Sequence, residues 1–251
     1  KCRYSGLVPD ACVLVATGRA LKAHSGKYRI VAGKALPPEM LELNVADVEA
    51  GASNLIKQIE NIKIHGVTPV VAINAFETDH PEEIEAIKRI SIEAGALGAA
   101  VSRHWADGGH GAIELAEMTV AAADEPSEFK FLYNLDQPIA AKIEAIATKI
   151  YGAKDVSFTS QAAEQIKDYE ANGFGKLPIC MAKTHLSLSH DASLKGAPTG
   201  FTLPIREVRA SVGAGFIYPI CGDMRTMPAL PAHPAAEKID IDENGNVVGL
   251  F

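Results

Sequence analysis

Two hydrophobic rhythms run through the first half of this chain. Ala11-Cys12-Val13-Leu14-Val15-Ala16-Thr17 is an almost unbroken apolar run, the pattern of a parallel strand covered on both faces. Over residues 39–64 the pattern changes. Leu43, Val45, Val48, Ala52, Leu55, Ile56, Ile59 and Ile62 recur at three- and four-residue spacing, which predicts a long amphipathic helix stopped by Gly66. Residues 69–73 read as a second apolar strand. Thr78-Asp79-His80-Pro81-Glu82-Glu83 then has helix-start chemistry: Thr or Asp as cap, Pro near the first turn, acids behind it. That helix is predicted to run to Ala94, with Gly95 ending it. Residues 96–102 are a third strand, 108–111 a glycine-rich loop and 112–123 another helix. Strand and helix alternating at this spacing point to a parallel sheet with helices on both faces.

The pattern changes after Asp124-Glu125-Pro126-Ser127. Helices are predicted at 138–151 and 160–172, the second capped from Ser157-Phe158-Thr159-Ser160. Strands follow at 177–183, 201–210 and 215–221. On the middle one, a period of two puts Arg206 and Val208 on one face and Glu207 and Arg209 on the other, as a surface ion-pair network. From Met227 the chain is Pro/Ala-rich, and Pro228, Pro231 and Pro234 exclude helix and central strand. The expected organisation is an α/β domain over 1–126, a smaller α+β domain over 127–226 and an extended tail over 227–251.

Composition narrows the classes. Lys and Arg total 24 against 31 Asp and Glu, a net charge of −7 that argues against nucleic acid or an anionic membrane as partner. No apolar run approaches the ~20 residues of a membrane span. Cytoplasm is the expected compartment. Cys2, Cys12, Cys180 and Cys221 form no CxxC pair and read as buried free thiols.

Candidate chemistry clusters after the strands. Ligands of open parallel sheets bind beyond the carboxyl ends of the strands. Asn74-Ala75-Phe76 stands there, with Asn74 able to offer a donor and an acceptor to a purine edge and Phe76 a flat apolar face. A strand-end turn with Phe76 in the core is the plainer alternative. Trp105, the single tryptophan, follows the third strand in His104-Trp105-Ala106-Asp107-Gly108-Gly109-His110-Gly111. Phe76 and Trp105 could sandwich a flat ring between them. His104, Asp107 and His110 fit no strong zinc spacing. Lys183 reads as a structural or interface residue, with phosphate or carboxylate binding as the alternative. Asp240, Asp242 and Glu243 read as a solvated turn.

An ordered series of segments resembles the formate–tetrahydrofolate ligase family along the whole chain. It comprises Lys1-Cys2-Arg3-Tyr4, Ala16-Thr17 with Arg19-Ala20-Leu21-Lys22, Asn74-Ala75-Phe76 and Trp105-Ala106-Asp107-Gly108-Gly109. It continues with Tyr133-Asn134-Leu135-Asp136, Met181-Ala182-Lys183-Thr184, Arg206-Glu207-Val208-Arg209, the run from Met227 to Ala236, and the terminal Gly-Leu-Phe. Gly18 and Ser25 depart from it, standing where members often carry a β-branched residue and a second glycine. The resemblance aligns the chain with the C-terminal part of a longer enzyme, its first domain being half of a nucleotide-hydrolase-like fold. With Asn74 at the same strand end as the candidate nucleotide or pterin contact, it implies Phe76 and Trp105 as a clamp on the pterin ring of tetrahydrofolate. It implies formate and ATP as the other substrates, Mg2+ as cofactor with room for a monovalent cation beside it, and a homotetramer. No G-x-x-x-x-G-K-[ST] loop occurs in the chain, so the N-terminal part of the same enzyme is an expected partner. A folate-binding module without ligation and an oligomerisation piece are the alternatives.

Overall fold

The computed structural model describes residues 2–31, 34–223, 232–245 and 247–249. After a short helix α1 (Cys2–Ser5), the first sheet is built by β1 (Ala11–Ala16), β2 (Thr68–Asn74) and β3 (Gly98–Ser102). The three are parallel in the order β1-β2-β3, with Ala11 opposite Thr68 and Val70 opposite Gly98. Helices α2 (Gly18–His24) and α3 (Val45–Ile64) connect β1 to β2, and α4 (Pro81–Glu93) connects β2 to β3. Helices α5 (His104–Asp107) and α6 (Ile113–Asp124) follow β3.

Local chemistry explains the boundaries. Thr17 caps α2 by accepting from the Ala20 N–H at 3.0 Å. Asn44 caps α3 by accepting from the Asp47 N–H at 3.0 Å. The helix predicted from residue 39 therefore starts six residues later. Pro37 and Pro38 allow only a single 3-10 turn before it. Likewise α4 has His80 at its cap position without a side-chain cap bond. Thr78 and Asp79, the predicted caps, are engaged elsewhere.

One face of the sheet, carrying Val71, Ile73 and Ala99, packs on Val48, Leu55 and Ile59 of α3 and Ile84, Ile87 and Ile90 of α4. Helix α6 crosses the opposite face, where a Cβ built on Gly98 would come within 2.6 Å of Met118 Sδ. It leaves β1 open there: Val13 and Val15 are 39% and 63% exposed. The apolar run of β1 predicted cover on both faces. Among the described residues only one face has it, and its outer edge is unpaired.

The second cluster is mixed. Helices α7 (Ile139–Lys149) and α8 (Ser160–Ala171) pack against a sheet of β4 (Asp155–Phe158), β5 (Thr202–Ser211) and β6 (Phe216–Cys221). β4 is parallel to β5, and β6 antiparallel to it. With four residues and two apolar positions, β4 is too short for a period of two to register, and it was not predicted. In β5 a register shift between Ile205 and Glu207 sends Arg206 outward and Val208 into the core beside Leu203 and Ile205. Arg206 and Val208 thus do not share a face, while Glu207 and Arg209 do, with Arg209 Nε donating to Glu207 Oε1 at 2.7 Å.

The strand predicted at 177–183 survives as two isolated bridges to β6, Ile179 to Ile217 and Ala182 to Ile220. Cys180 N donates to Ile217 O at 2.8 Å, and Ala182 N to Pro219 O at 2.9 Å. The bond that would join them requires an N–H at Pro219, which has none. A hairpin of β7 (Asp240–Ile241) and β8 (Val247–Val248) follows, its turn closed by Gly245 N donating to Asp242 O at 3.0 Å. Residues 227–231 of the predicted Pro-rich extension lie outside the described residues, as do Lys1, Leu250 and Phe251.

Candidate functional site

β2 ends at Asn74, and the chain turns through Ala75 and Phe76 toward α4. Phe76 N donates to Asp79 Oδ2 at 3.0 Å, and Asp79 N returns a bond to Phe76 O at 3.1 Å. The carboxylate predicted to cap a helix instead closes the turn that presents Phe76, a local side-chain bond competing with helix initiation. Ala75 N donates to Ser102 O at 3.3 Å, carrying the β2–β3 ladder one residue beyond β2.

Beyond β3, the single turn of α5 carries Trp105. Its indole Nε1 donates to Ala75 O at 2.9 Å. The residue after Asn74 and before Phe76 is therefore the anchor for Trp105, and the two aromatic side chains belong to adjacent strand ends. Trp105 is 50% exposed, and Phe76 is half-buried. The loop behind Trp105 is closed by Arg103 N donating to Gly111 O at 2.9 Å. Glycine is required there, since a Cβ on Gly111 would stand 2.6 Å from the Arg103 carbonyl carbon. Gly108 adopts φ 59°, a region costly for other residues.

Asn74 is half-buried, and its Oδ1 is a buried acceptor with no partner. Such an atom is costly to leave unmade and suits a donor from a ligand. Ser102 Oγ and His104 Nδ1 lie 3.0 Å apart. No group of three His, Cys, Asp or Glu among the described residues is placed to hold a metal ion.

Two groups escaped the sequence reading. Arg19 lies with its guanidinium 3.8 Å over the Phe76 ring and donates from Nη2 to Thr78 Oγ1 at 2.8 Å. Behind it, Lys22 and Glu83 form an ion pair of 2.6 Å with both side chains 3% exposed. Lys22 also donates to Met40 O and Glu42 O, and Glu83 accepts from Asn44 N at 2.6 Å. The available signal was a pair of cations directly after a strand's carboxyl end.

Lys183 is used locally. It donates to Thr184 O at 2.9 Å and to Ser187 O, and lies 4.8 Å from the Tyr151 ring centroid. Burial pushes its pKa below the usual lysine range. Of the free thiols, Cys221 is buried, Cys2 and Cys12 are partly so, and Cys180 is exposed, contrary to expectation. An apolar cavity of about 410 Å3, bounded by Ala11, Cys12, Val67, Phe129 and Phe131, lies at the amino ends of the strands, away from Phe76 and Trp105. No helix among the described residues is long and apolar enough to cross a membrane.

The sequence profile of formate–tetrahydrofolate ligase matches residues 1–251. A formate–tetrahydrofolate ligase of Saccharopolyspora erythraea is 64% identical over 250 residues, covering 100% of this chain and 44% of the relative. One from Rubrobacter xylanophilus is 60% identical over 260 residues, with 100% of this chain and 45% of the relative covered. One from Herpetosiphon aurantiacus is 59% identical over 251 residues, with 100% and 44% covered. The chain spans less than half the length of these curated relatives. It belongs to the formate–tetrahydrofolate ligase family.

Proposed function

We propose that this chain supplies the folate-binding end of a ligase that joins formate to tetrahydrofolate at the expense of ATP. In this reading ATP phosphorylates formate to formyl phosphate. A nitrogen of tetrahydrofolate then attacks the formyl carbon and phosphate leaves, giving 10-formyltetrahydrofolate. Phe76 and Trp105 hold the pterin between them, excluding water from two faces of the ring and fixing it for attack. Asn74 offers its unpartnered Oδ1 to a ligand N–H, of nucleotide or pterin, at the same strand end. The phosphate-binding loop belongs to the part of the enzyme outside this chain. Residues 1–126 are its α/β portion, 127–226 a smaller domain and 227–251 a tail.

The observation that carries the reading is the 2.9 Å bond from Trp105 Nε1 to Ala75 O, which ties the tryptophan to the backbone beside Phe76. The open edge of β1, with Val13 and Val15 exposed, supports a requirement for an N-terminal complement. A clean monomer of the isolated chain by light scattering would count against that requirement.

The test is titration of tetrahydrofolate against the fluorescence of Trp105 in anaerobic buffer, with inner-filter correction. Saturable quenching that disappears in Phe76→Ala is expected. Quenching unchanged in that variant would remove Phe76 from the site. No saturable change, with or without the complement, would overturn the reading.

A further inference from the structure

We propose that Arg19 is a positioning residue for the folate heterocycle, acting through Phe76. This rests on the reading of Phe76 and Trp105 as the ring clamp. The guanidinium centre lies 3.8 Å from the Phe76 ring centroid, the stacking geometry of a cation on an aromatic face. One face of the ring is thereby occupied. A flat heterocycle reaches Phe76 only on the other face.

Arg19 is not held by charge. The chain has an excess of acids, yet Arg19 forms no ion pair among the described residues. Its Nε–H is buried without a partner. Its contacts are the ring and Thr78 Oγ1, two residues beyond Phe76 in the turn that Asp79 closes. Arg19 starts from the carboxyl end of β1, in the first turn of α2, whose cap is Thr17. It therefore spans from one strand end to the turn after the next. Trp105 does the same from β3, through Ala75 O. Each clamp ring is braced from a neighbouring strand end, so neither has to be immobilised when the ligand arrives.

The experiment uses the chain together with its N-terminal complement. Tetrahydrofolate is titrated against Trp105 fluorescence in wild type, Arg19→Ala, Phe76→Leu and the double variant, and KM is measured for folate and for ATP. Arg19→Ala is expected to raise the folate Kd about three- to tenfold, from the usual size of a cation–ring contact. Folate KM rises with it, and the KM for ATP stays. In the Phe76→Leu background the same substitution changes little, because its effect passes through the ring.

A role in general packing would instead give the same fold-change in both backgrounds, and that result overturns the proposal. So does an unchanged Kd in Arg19→Ala. Should Arg19→Ala fail to fold, Thr78→Val and Arg19→Lys carry the test. The first cuts the tether and leaves the cation, with about a twofold rise in Kd expected. The second keeps charge and loses the planar stack, with an intermediate rise expected. Unmoved affinity in both also overturns the proposal. Absence of binding by wild type removes the clamp reading itself. Binding by wild type with Arg19 indifferent removes only the role of Arg19.

Discussion

Two lysines are buried among the described residues, one beside each apolar cluster, and they are held differently. Lys22, 2% exposed, meets a carboxylate, Glu83, at 2.6 Å and two backbone carbonyls. Lys142, 0% exposed, meets no carboxylate among the described residues. Its Nζ donates to Leu135 O at 3.3 Å, Gly175 O at 2.5 Å and Leu177 O at 2.9 Å. The first arrangement joins α2, which carries Arg19, to the approach to α3 and to α4, which follows the turn closed by Asp79. The second joins α7 to the 175–177 turn, with no contact to the strand ends of the first sheet. A buried cation with a counter-charge locks the scaffold under the candidate site. One with carbonyls alone pins loops.

The largest effect follows from removing the paired cation. Lys22→Met strands Glu83 as a buried, uncompensated charge and should cost about 3–5 kcal/mol of stability by urea unfolding. Adding Glu83→Leu should restore part of that loss, since an apolar pair replaces an ionic one with little penalty. Lys142→Met should cost less, about 1–3 kcal/mol, because unsatisfied carbonyls are partly offset by relief of burying a charge whose acidic neighbours, Glu170 and Asp136, stand beyond hydrogen-bond reach. Equal losses at the two sites would break the comparison. It sharpens if Lys22→Met also weakens tetrahydrofolate binding to the folded fraction and Lys142→Met does not.

The pH dependence separates the regions next. Burial holds the Lys142 pKa below its ordinary 10.5. The folded chain then binds that proton less tightly than the unfolded chain, so its contribution to stability rises as pH climbs toward 10.5. Near Lys22 the sign is opposite. Tyr28 is pushed up to about 12 by its hydrogen bond to Asp47, from an ordinary 10.0. Its contribution is full below pH 10 and is lost as pH rises toward 12. Asp47, bonded by Lys27 and Tyr28, is held below its ordinary 3.8, so its contribution is lost as pH falls below that value. Lys142→Met should remove the rise, Tyr28→Phe the alkaline loss and Asp47→Asn the acid loss, each in unfolding free energy measured across pH. A Tyr28→Phe variant that still loses stability between pH 10 and 12 would remove Tyr28 as the cause.

What was legible in the sequence follows the range of the forces involved. β1, β2 and β3 could be read because an apolar run is a local signal, and α8 because its cap at Thr159 is another. The segment Asn74-Ala75-Phe76 and Trp105 could be read as strand-end groups for the same reason. Long-range partners were invisible. No spacing says that Arg19 reaches Phe76, or that Trp105 finds Ala75 O rather than water. Asp79 was misread because the same carboxylate satisfies either a helix start or the turn before it, and the N–H of Phe76 won. Residues 177–183 were read as a strand because their own pattern is right. The obstacle was a proline on the partner, Pro219.

The smallest expected effect tests how rigid the ground beneath Lys22 is. Gly18 opens α2, four residues before Lys22, and is buried. A Cβ there would meet Glu83 Oε2 at 3.8 Å and Asp79 Oδ1 at 4.0 Å, ordinary contact distances. Glycine is thus not demanded by space, and its φ lies outside the left-handed region. Gly18→Ala should raise stability by about 0.5 kcal/mol by lowering the entropy of the unfolded chain. Folate affinity should stay constant, because the methyl lies against carboxylates already fixed by Asn44, Lys22 and Phe76. A stability gain with weakened binding would mean that Glu83 or Asp79 moves under a contact of 4 Å, and that the clamp depends on slack in α2 rather than on its rigidity.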